Sequence, residues 1–357
     1  MEELNHKIRI KDIARLAGVS EGTVDRVIHQ RSDVSAKSRE AVTKVLEEMN
    51  YTPNIFARSL ASKKQYRFVS LFPAYQSGDY WETVDKGLNL AAKDFVHHNV
   101  HIEKRFYNQF DVQSFVSASK EILDNKPDAI FIAPIFRKET ITFVNELRKN
   151  EIPFSFIDSI VEDVDFLTYY GQNSFKSGYI AAKLLSSSLP KGSEILVIRT
   201  HRNGSVSNQT ISRNNGFLEY IKKHNLEKEL VVINIEFNNE DETANAKILE
   251  QAFQQYGSIK AAITFNSRVY RLARHLANLN HSDIRLIGYD LLEQNVSYLK
   301  QDVISYLIAQ RPDRQAYLTV RDMCRELIFK QSIKKVNYVP IDILMKENIE
   351  DYIHFRE

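Results

Sequence analysis

Cysteine is nearly missing from this 357-residue chain: Cys324 is the single example, so no internal disulfide can form and a reducing compartment is expected. Its neighbours Leu318, Val320, Met323, Leu327 and Ile328 share helical spacing with it, which makes it a packing residue rather than a nucleophile. Glycine is also scarce, at 11 residues, and no phosphate-cradling glycine loop is present. Nor does the chain offer a nucleophile elbow, a zinc-ligand spacing or histidines set beside carboxylates in a catalytic pattern. These absences argue against an enzyme, a bound metal and a cofactor. No apolar run approaches the roughly 20 residues that a membrane helix needs. The polar start Met1 to His6 lacks the apolar stretch of a secretory signal, so a cytoplasmic location is expected, with no membrane partner.

What is present is the composition of a soluble globular protein, 43% hydrophobic and 26% charged, long enough for two or three domains. The net charge of +2 hides an asymmetry. The first 64 residues hold 12 Lys and Arg against 9 Asp and Glu, whereas the rest hold 36 against 37. The basic excess sits at the N-terminus, where a nucleic-acid contact would want it.

Three segments separate on pattern. Residues 8–50 are short helices with tight gaps, and 51–66 form a brief helix-like piece introduced by Pro53. From Tyr66 the chain alternates β-rich runs with helical periods. Strands are expected at Arg67–Phe72, Val100–Phe106, Ala129–Ala133, Pro153–Ile157 and Leu167–Tyr170. A second series is expected at Glu194–Ile198, Leu230–Ile235, Ala261–Phe265, Ile284–Ile287 and Val303–Ala309. Such alternation predicts an α/β fold with two doubly wound, parallel-sheet lobes.

At the N-terminus, Lys11 to Gly18 form a first short helix with Ile13, Ala14 and Ala17 inward, closed by Gly18. Val19 is a buried turn residue, and Ser20 caps a second helix, Glu21–Gln30, which buries Val24, Val27 and Ile28. Its other face presents Glu21, Gly22, Asp25, Arg26 and His29, and Arg26 has the planar donor fork that matches a guanine edge. A third helix, opened by Ser35, buries Ala41, Val42, Val45, Leu46 and Met49.

The run Ile13-Ala14-Arg15-Leu16-Ala17-Gly18-Val19-Ser20, followed by Thr23-Val24, Arg26-Val27, Val34-Ser35, Arg39 and Asn50-Tyr51-Thr52-Pro53-Asn54, resembles the headpiece of the lactose-repressor (LacI) family over about 55 residues. The resemblance implies a helix-turn-helix DNA reader at 1–52, a hinge helix at 53–65 and an effector domain at 66–357. It implies that Glu21, Gly22 and Arg26 read bases while Ser20 and Thr23 contact phosphates. Asp25 stands where the family commonly has Ser; either it accepts from a cytosine amino group or it turns toward Arg26 or His29. Arg9 stands where a Thr cap is usual, and Asp12 partly compensates through the helix dipole. In the hinge, Pro53 suits a first helical position, Ala57 permits close approach of a paired helix, and Leu60 is placed to wedge into a base step. Asn54 and Arg58 would hold phosphates or groove edges. Nine residues are too few for an isolated helix, so the hinge should form only with DNA and a second subunit, and a homodimer on a pseudo-palindrome follows.

The segment from Tyr66 to about Ile349 resembles the type 1 periplasmic-binding-protein fold of ribose- and galactose-binding proteins. The strings that carry the likeness are Gly171-Gln172-Asn173-Ser174-Phe175 with Gly178, Arg213-Asn214-Asn215-Gly216-Phe217, Ile287-Gly288-Tyr289-Asp290 and Ile308-Ala309-Gln310-Arg311-Pro312. Polyols need groups that bond several hydroxyls, and the strand ends supply Asp158, Asn266, Asp290 and Gln310, with Arg213 nearby. Tyr75, Tyr80 and Trp81, in the loop after the first strand, are candidates for the apolar plate on which a sugar stacks; for Tyr80 and Trp81, core packing is an even alternative. Ser159 and Arg268 depart from the pattern of sugar-binding relatives. Arg268 either favours an anionic effector or is a solvated arginine, and His201, Arg202 and Asn203 could serve a phosphate. The expected function is DNA-binding regulation by a sugar or sugar derivative held between the lobes. The rival readings are a cytoplasmic solute sensor and a sugar-processing enzyme on the same lobes.

Overall fold

The computed structural model describes residues 8–28, 33–49, 64–201, 207–238, 241–279, 281 and 283–354, with the backbone alone at 201 and 238. The chain divides into two compact units, Met1–Ser62 and Lys63–Glu357.

The first unit holds α1 (Ile10–Ala17), α2 (Glu21–Ile28) and α3 (Ala36–Glu48). Each helix boundary has a local cause. Arg9 offers no side-chain acceptor at the start of α1, but its own backbone N–H donates to Asp12 Oδ2 at 3.0 Å, so Asp12 does more than complement the dipole. Gly18 ends the helix in the left-handed conformation, at φ 64°. Ser20 Oγ accepts from the Thr23 N–H at 3.2 Å, and Ser35 Oγ from the Ser38 N–H at 3.2 Å. Among the described residues, six side chains form the buried centre: Ile13, Ala14, Val24, Val27, Val42 and Val45. Val19, Ile28, Ala41, Leu46 and Met49, expected inside, are half-buried around it. A core this small gives little margin, so caps worth about 1 kcal/mol each matter to it.

The second unit contains two six-stranded sheets. The first lobe begins with β1 (Tyr66–Pro73), α4 (Tyr80–Phe95), β2 (Val100–Tyr107), α5 (Val112–Asp124), β3 (Ala129–Ile132), α6 (Arg137–Lys149), β4 (Phe154–Asp158) and β5 (Tyr169–Gln172). The chain then crosses to the second lobe through α7 (Ser174–Ser186), β6 (Ser193–His201), α8 (Asn208–Lys223), β7 (Leu230–Asn238) and α9 (Glu242–Gln255). β8 (Ile259–Thr264), α10 (Val269–Asn278), β9 (Arg285–Tyr289), α11 (Glu293–Lys300) and β10 (Tyr306–Ala309) follow. It returns with α12 (Pro312–Leu327) and β11 (Val336–Val339), and crosses once more to β12 (Asp342–Leu344) and α13 (Ile349–His354).

The strand orders are β11-β5-β4-β3-β1-β2 and β12-β10-β9-β8-β6-β7. They match position for position; β12 alone runs antiparallel, Leu344 opposite Leu307. β3 and β4 are buried along their whole length, as near-continuous apolar runs covered by helices on both faces should be. The expected fifth strand lies two residues later than its apolar run suggested, because Leu167 and Thr168 lead in from the preceding turn. The tenth begins only at Tyr306, since Val303 and Ile304 bond back to Tyr298 at the end of α11. Neither β11 nor β12 was foreseen; they are short and pair at sheet edges.

Glycine matters where crossing helices meet. A Cβ on Gly178 of α7 would stand 1.8 Å from the Arg213 carbonyl oxygen, and one on Gly216 of α8 would stand 1.9 Å from that of Phe175. The two backbones therefore touch, and their contact places Arg213. In the first lobe, Gly87 of α4 meets the Asp313 carbonyl of α12 in the same way, at 2.1 Å. Gly216→Ala should lower unfolding free energy by about 1–3 kcal/mol in urea titrations, as overpacking does. Gly257→Ala, facing open space, should change it by no more than about 0.5 kcal/mol. Equal effects would contradict the close crossing.

Candidate functional site

On α2, Glu21, Gly22 and Arg26 are exposed, and so is the preceding Ser20. Thr23 and Asp25 are half-buried. Ser20 Oγ lies 2.9 Å from Thr23 Oγ1, so the two hydroxyls form one polar group at the helix start. Room for a side chain exists at Gly22, where a Cβ would meet only Ser20 Oγ, at 3.8 Å. His29 and the hinge residues Asn54, Ala57, Arg58 and Leu60 lie outside the described residues.

In the second unit the matching sheets place two carboxylates at corresponding strand ends. Asp158 closes β4 and Asp290 follows β9, the third strand in each order. Both are buried, and both sit at φ 71°, a left-handed conformation that a non-glycine residue adopts at a cost. Such strain at two corresponding positions directs attention to the cleft between the lobes. That cleft has a volume of about 980 Å³, counting the space open to solvent.

A polar network crosses it. Tyr80 donates its hydroxyl to Asp158 Oδ1 at 2.6 Å. Gln209, in the first turn of α8, donates from the opposite lobe to the same oxygen at 3.3 Å and to Gln310 Oε1 at 3.3 Å. Gln310 Nε2 donates to Asp290 Oδ1 at 2.8 Å, while its Oε1 accepts from Arg213 at 3.0 Å. Arg213 is only 1% exposed; it also donates to the Phe265 carbonyl at 2.7 Å and lies 3.8 Å from the centre of the Tyr289 ring. Burial pushes the Asp290 carboxyl up to about 7, against the opposing pull of Arg213 and the Gln310 bond; Asp158 adds to the rise. Burial and the facing carboxylates likewise raise the Tyr80 hydroxyl well above its ordinary value, keeping it a donor.

Tyr80, Trp81, Asp158, Arg213, Asn266, Asp290 and Gln310 all line this cleft. Tyr75 does not: its ring meets Phe106 edge-on at 5.8 Å, and burial together with a bond to Asp85 pushes its hydroxyl up to about 12. The loop after β1 turns it outward along that strand's outer neighbour, β2, which corrects its expected place. Trp81 combines both readings, lining the cleft while stacked on Phe72 at 6.0 Å. Asn266 is committed to the protein at both ends of its amide, donating to Thr200 Oγ1 at 2.9 Å and accepting from the Arg268 N–H at 2.8 Å. Behind it, fully buried Asn295 donates to the carbonyls of Ser267 at 2.8 Å and Asp290 at 3.0 Å, fixing both loops.

Sequence reasoning missed Gln109, Pro134, Ile135, Thr200 and the stretch Ser207 to Thr210, which also line the cleft. Pro134 and Ile135 follow a strand end and were within its reach. The Ser207–Thr210 spacing marks a helix start, with Ser207 Oγ accepting from the Thr210 N–H at 3.2 Å. Gln209 carries no sequence signal. The side chain of His201, and Arg202 and Asn203, lie outside the described residues. Among the described residues no cluster of metal-ligating side chains is found, and no helix is long and apolar enough to cross a membrane.

Comparison with known proteins gives a coherent picture. Residues 9–54 match the model of bacterial regulatory proteins of the lacI family, and residues 69–331 match a periplasmic binding protein domain. The sucrose operon repressor of Staphylococcus xylosus is 23% identical over 273 residues, covering 76% of this chain and 78% of its own. A chain of known structure from Bacteroides fragilis, assigned as a LacI transcriptional regulator, is 36% identical with a TM-score of 0.74, covering 81% of this chain and all (100%) of that one. The glucose-galactose binding protein GanP of Geobacillus stearothermophilus shares the fold, with a TM-score of 0.69 at 21% identity over 80% of this chain and 99% of its own. A helix-turn-helix segment followed by a two-lobed binding domain makes this chain a member of the LacI family of DNA-binding transcriptional regulators.

Proposed function

We propose that the protein acts in the cytoplasm as a homodimeric repressor of a pseudo-palindromic operator, controlled by a sugar or sugar derivative bound between its lobes. The observation that carries the effector reading is the convergence of Asp158, Asp290, Arg213, Gln209 and Gln310 on one cleft. Two carboxylates, two amides and a guanidinium can bond several hydroxyls at once, and Trp81 supplies an apolar wall. That the Staphylococcus xylosus relative is a sucrose operon repressor supports the same class of effector.

On the DNA side the exposed start of α2 supports base reading by Glu21, Gly22 and Arg26, with Ser20 and Thr23 toward phosphates. Asp25, His29, Asn54, Ala57, Arg58 and Leu60 complete the proposed contact set. A retarded band on the DNA upstream of the protein's own coding region, altered by sugars, is the expected result of a gel-shift assay. No band in any condition would remove the regulator reading, and turnover of a sugar would revive the enzyme. Arg26→Ala should cost roughly 1–3 kcal/mol of specific binding and relax base choice at one position. An unchanged preference in a binding-site selection would contradict that role.

The raised Asp290 carboxyl gives a pH signature. A ligand whose hydroxyls donate to Asp290 prefers the ionised carboxylate, whereas the ligand-free group holds its proton up to about pH 7. Effector affinity should therefore rise from pH 6 to pH 8, with proton release on binding, read by calorimetry in buffers of different ionisation enthalpy. Asp290→Asn should flatten this component of the profile; the same slope in that variant would place the proton elsewhere.

A further inference from the structure

The acidic and basic groups of the cleft are not evenly spread. Asp79, Asp158 and Asp290 supply its carboxylates, and Arg213 is held by Phe265, Gln310 and Tyr289. Arg268 is different. It is half-buried, lines the cleft, and among the described residues no carboxylate pairs with it. Its backbone N–H is fixed by Asn266, so the residue is positioned while its charge is left uncompensated.

Arg268 also lines a smaller chamber of about 310 Å³, counting space open to solvent, that adjoins the cleft and shares Thr200 and Asn266 with it. Thr200, Thr264, Asn245, Asn266, Arg268 and Arg271 give this chamber its polar wall, and among the described residues no carboxylate lines it. Arg271 is already compensated, its Nε 3.1 Å from Glu242, which also faces His275 at 3.2 Å. Among the described residues, the surplus charge at this end therefore belongs to Arg268. Burying it further as the lobes close over a neutral polyol would cost desolvation without return, whereas an anionic group would supply the missing charge and accept from the hydroxyls of Thr200 and Thr264.

We propose that the effector is a sugar bearing an anionic substituent, a phosphate or a carboxylate, which Arg268 binds beside this chamber while the sugar hydroxyls meet Asp158 and Asp290. The proposal rests on the reading of the cleft as the effector site and adds its ligand class.

The test is calorimetry of the full-length protein with matched sets of pentoses and hexoses, their terminal monophosphates and their sugar acids, with inorganic phosphate alone alongside. At least one anionic member should bind more tightly than its neutral parent, by roughly ten- to hundredfold, the scale of a charge-assisted bond. Arg268→Gln should erase that advantage, with the neutral parent bound at least as tightly as by the unaltered protein, because the uncompensated charge is gone. Asp290→Asn should weaken both members of the pair. The phosphate and acid arms identify which anion is used. Neutral sugars binding as well as their anionic partners, or an advantage that survives in Arg268→Gln, would overturn the subsite and leave the cleft reading standing. Binding by none of the sets would overturn the cleft reading and the subsite with it.

Discussion

Two buried carboxylates facing one buried guanidinium are the constraint around which the second unit is organised. Asp158 and Asp290 stand at corresponding strand ends in left-handed backbone positions, and Arg213 is almost wholly enclosed. Charges taken out of water are tolerated only when paired or thoroughly hydrogen-bonded. Tyr80, Gln209 and Gln310 supply those bonds, and Asp290 answers the remaining imbalance by holding its proton near neutral pH. With Asp158 and Asp290 each accepting from an amide side chain, the cleft is arranged for exchange: a hydroxyl donor can take over from Gln209 or Gln310 at those carboxylates without leaving the accepting oxygen bare.

The fold delivers these groups from separate parts of the chain. Three crossings join the lobes, after β5, after β10 and after β11, so relative motion is confined to a few connecting segments. α7 and α12 each follow a crossing and pack on the lobe they enter, α7 on α8 and α12 on α4. The glycine contacts at those crossings hold the helices rigid within each lobe. Gln209 bridges the gap through its bond to Asp158, so the spacing of the lobes and the occupancy of the cleft are linked through one side chain.

Much of this was legible because local chemistry and global placement agree. Gly18, Ser20 and Ser35 mark helix ends by capping physics alone, while Asp158, Asn266, Asp290 and Gln310 are picked out by the strand-end rule together with the family resemblance. Failures came where tertiary context decides. Tyr75 follows β1 as Tyr80 does, but which way a loop turns depends on the neighbouring strand, and Phe106 and Asp85 take it. Asn266 reached the expected place, yet its amide bonds to Thr200 and to the Arg268 backbone, partners distant or hidden in the sequence. β11 and β12, of 4 and 3 residues, are too short to show a period of two. Gln209 could not be foreseen, because its role exists only when the two lobes face each other.

For a ligand to switch such a molecule, what counts is not how tightly it binds but how differently it binds two arrangements. Moving an equilibrium from 1:99 to 99:1 requires about 5.5 kcal/mol of differential affinity. A contact made entirely within one lobe is the same whether the cleft is open or closed, and contributes nothing to that figure. On the proposed reading of the cleft, a ligand's bonds to Asp158 on one lobe and to Asp290, Arg213 or Arg268 on the other would be made together only on closure. At roughly 1.5–3 kcal/mol for each bond to a charged group, about two to four of them meet the requirement. The distribution of charged residues across both walls is thus what a switch demands, and a site that gathered the same groups on one wall would bind without signalling.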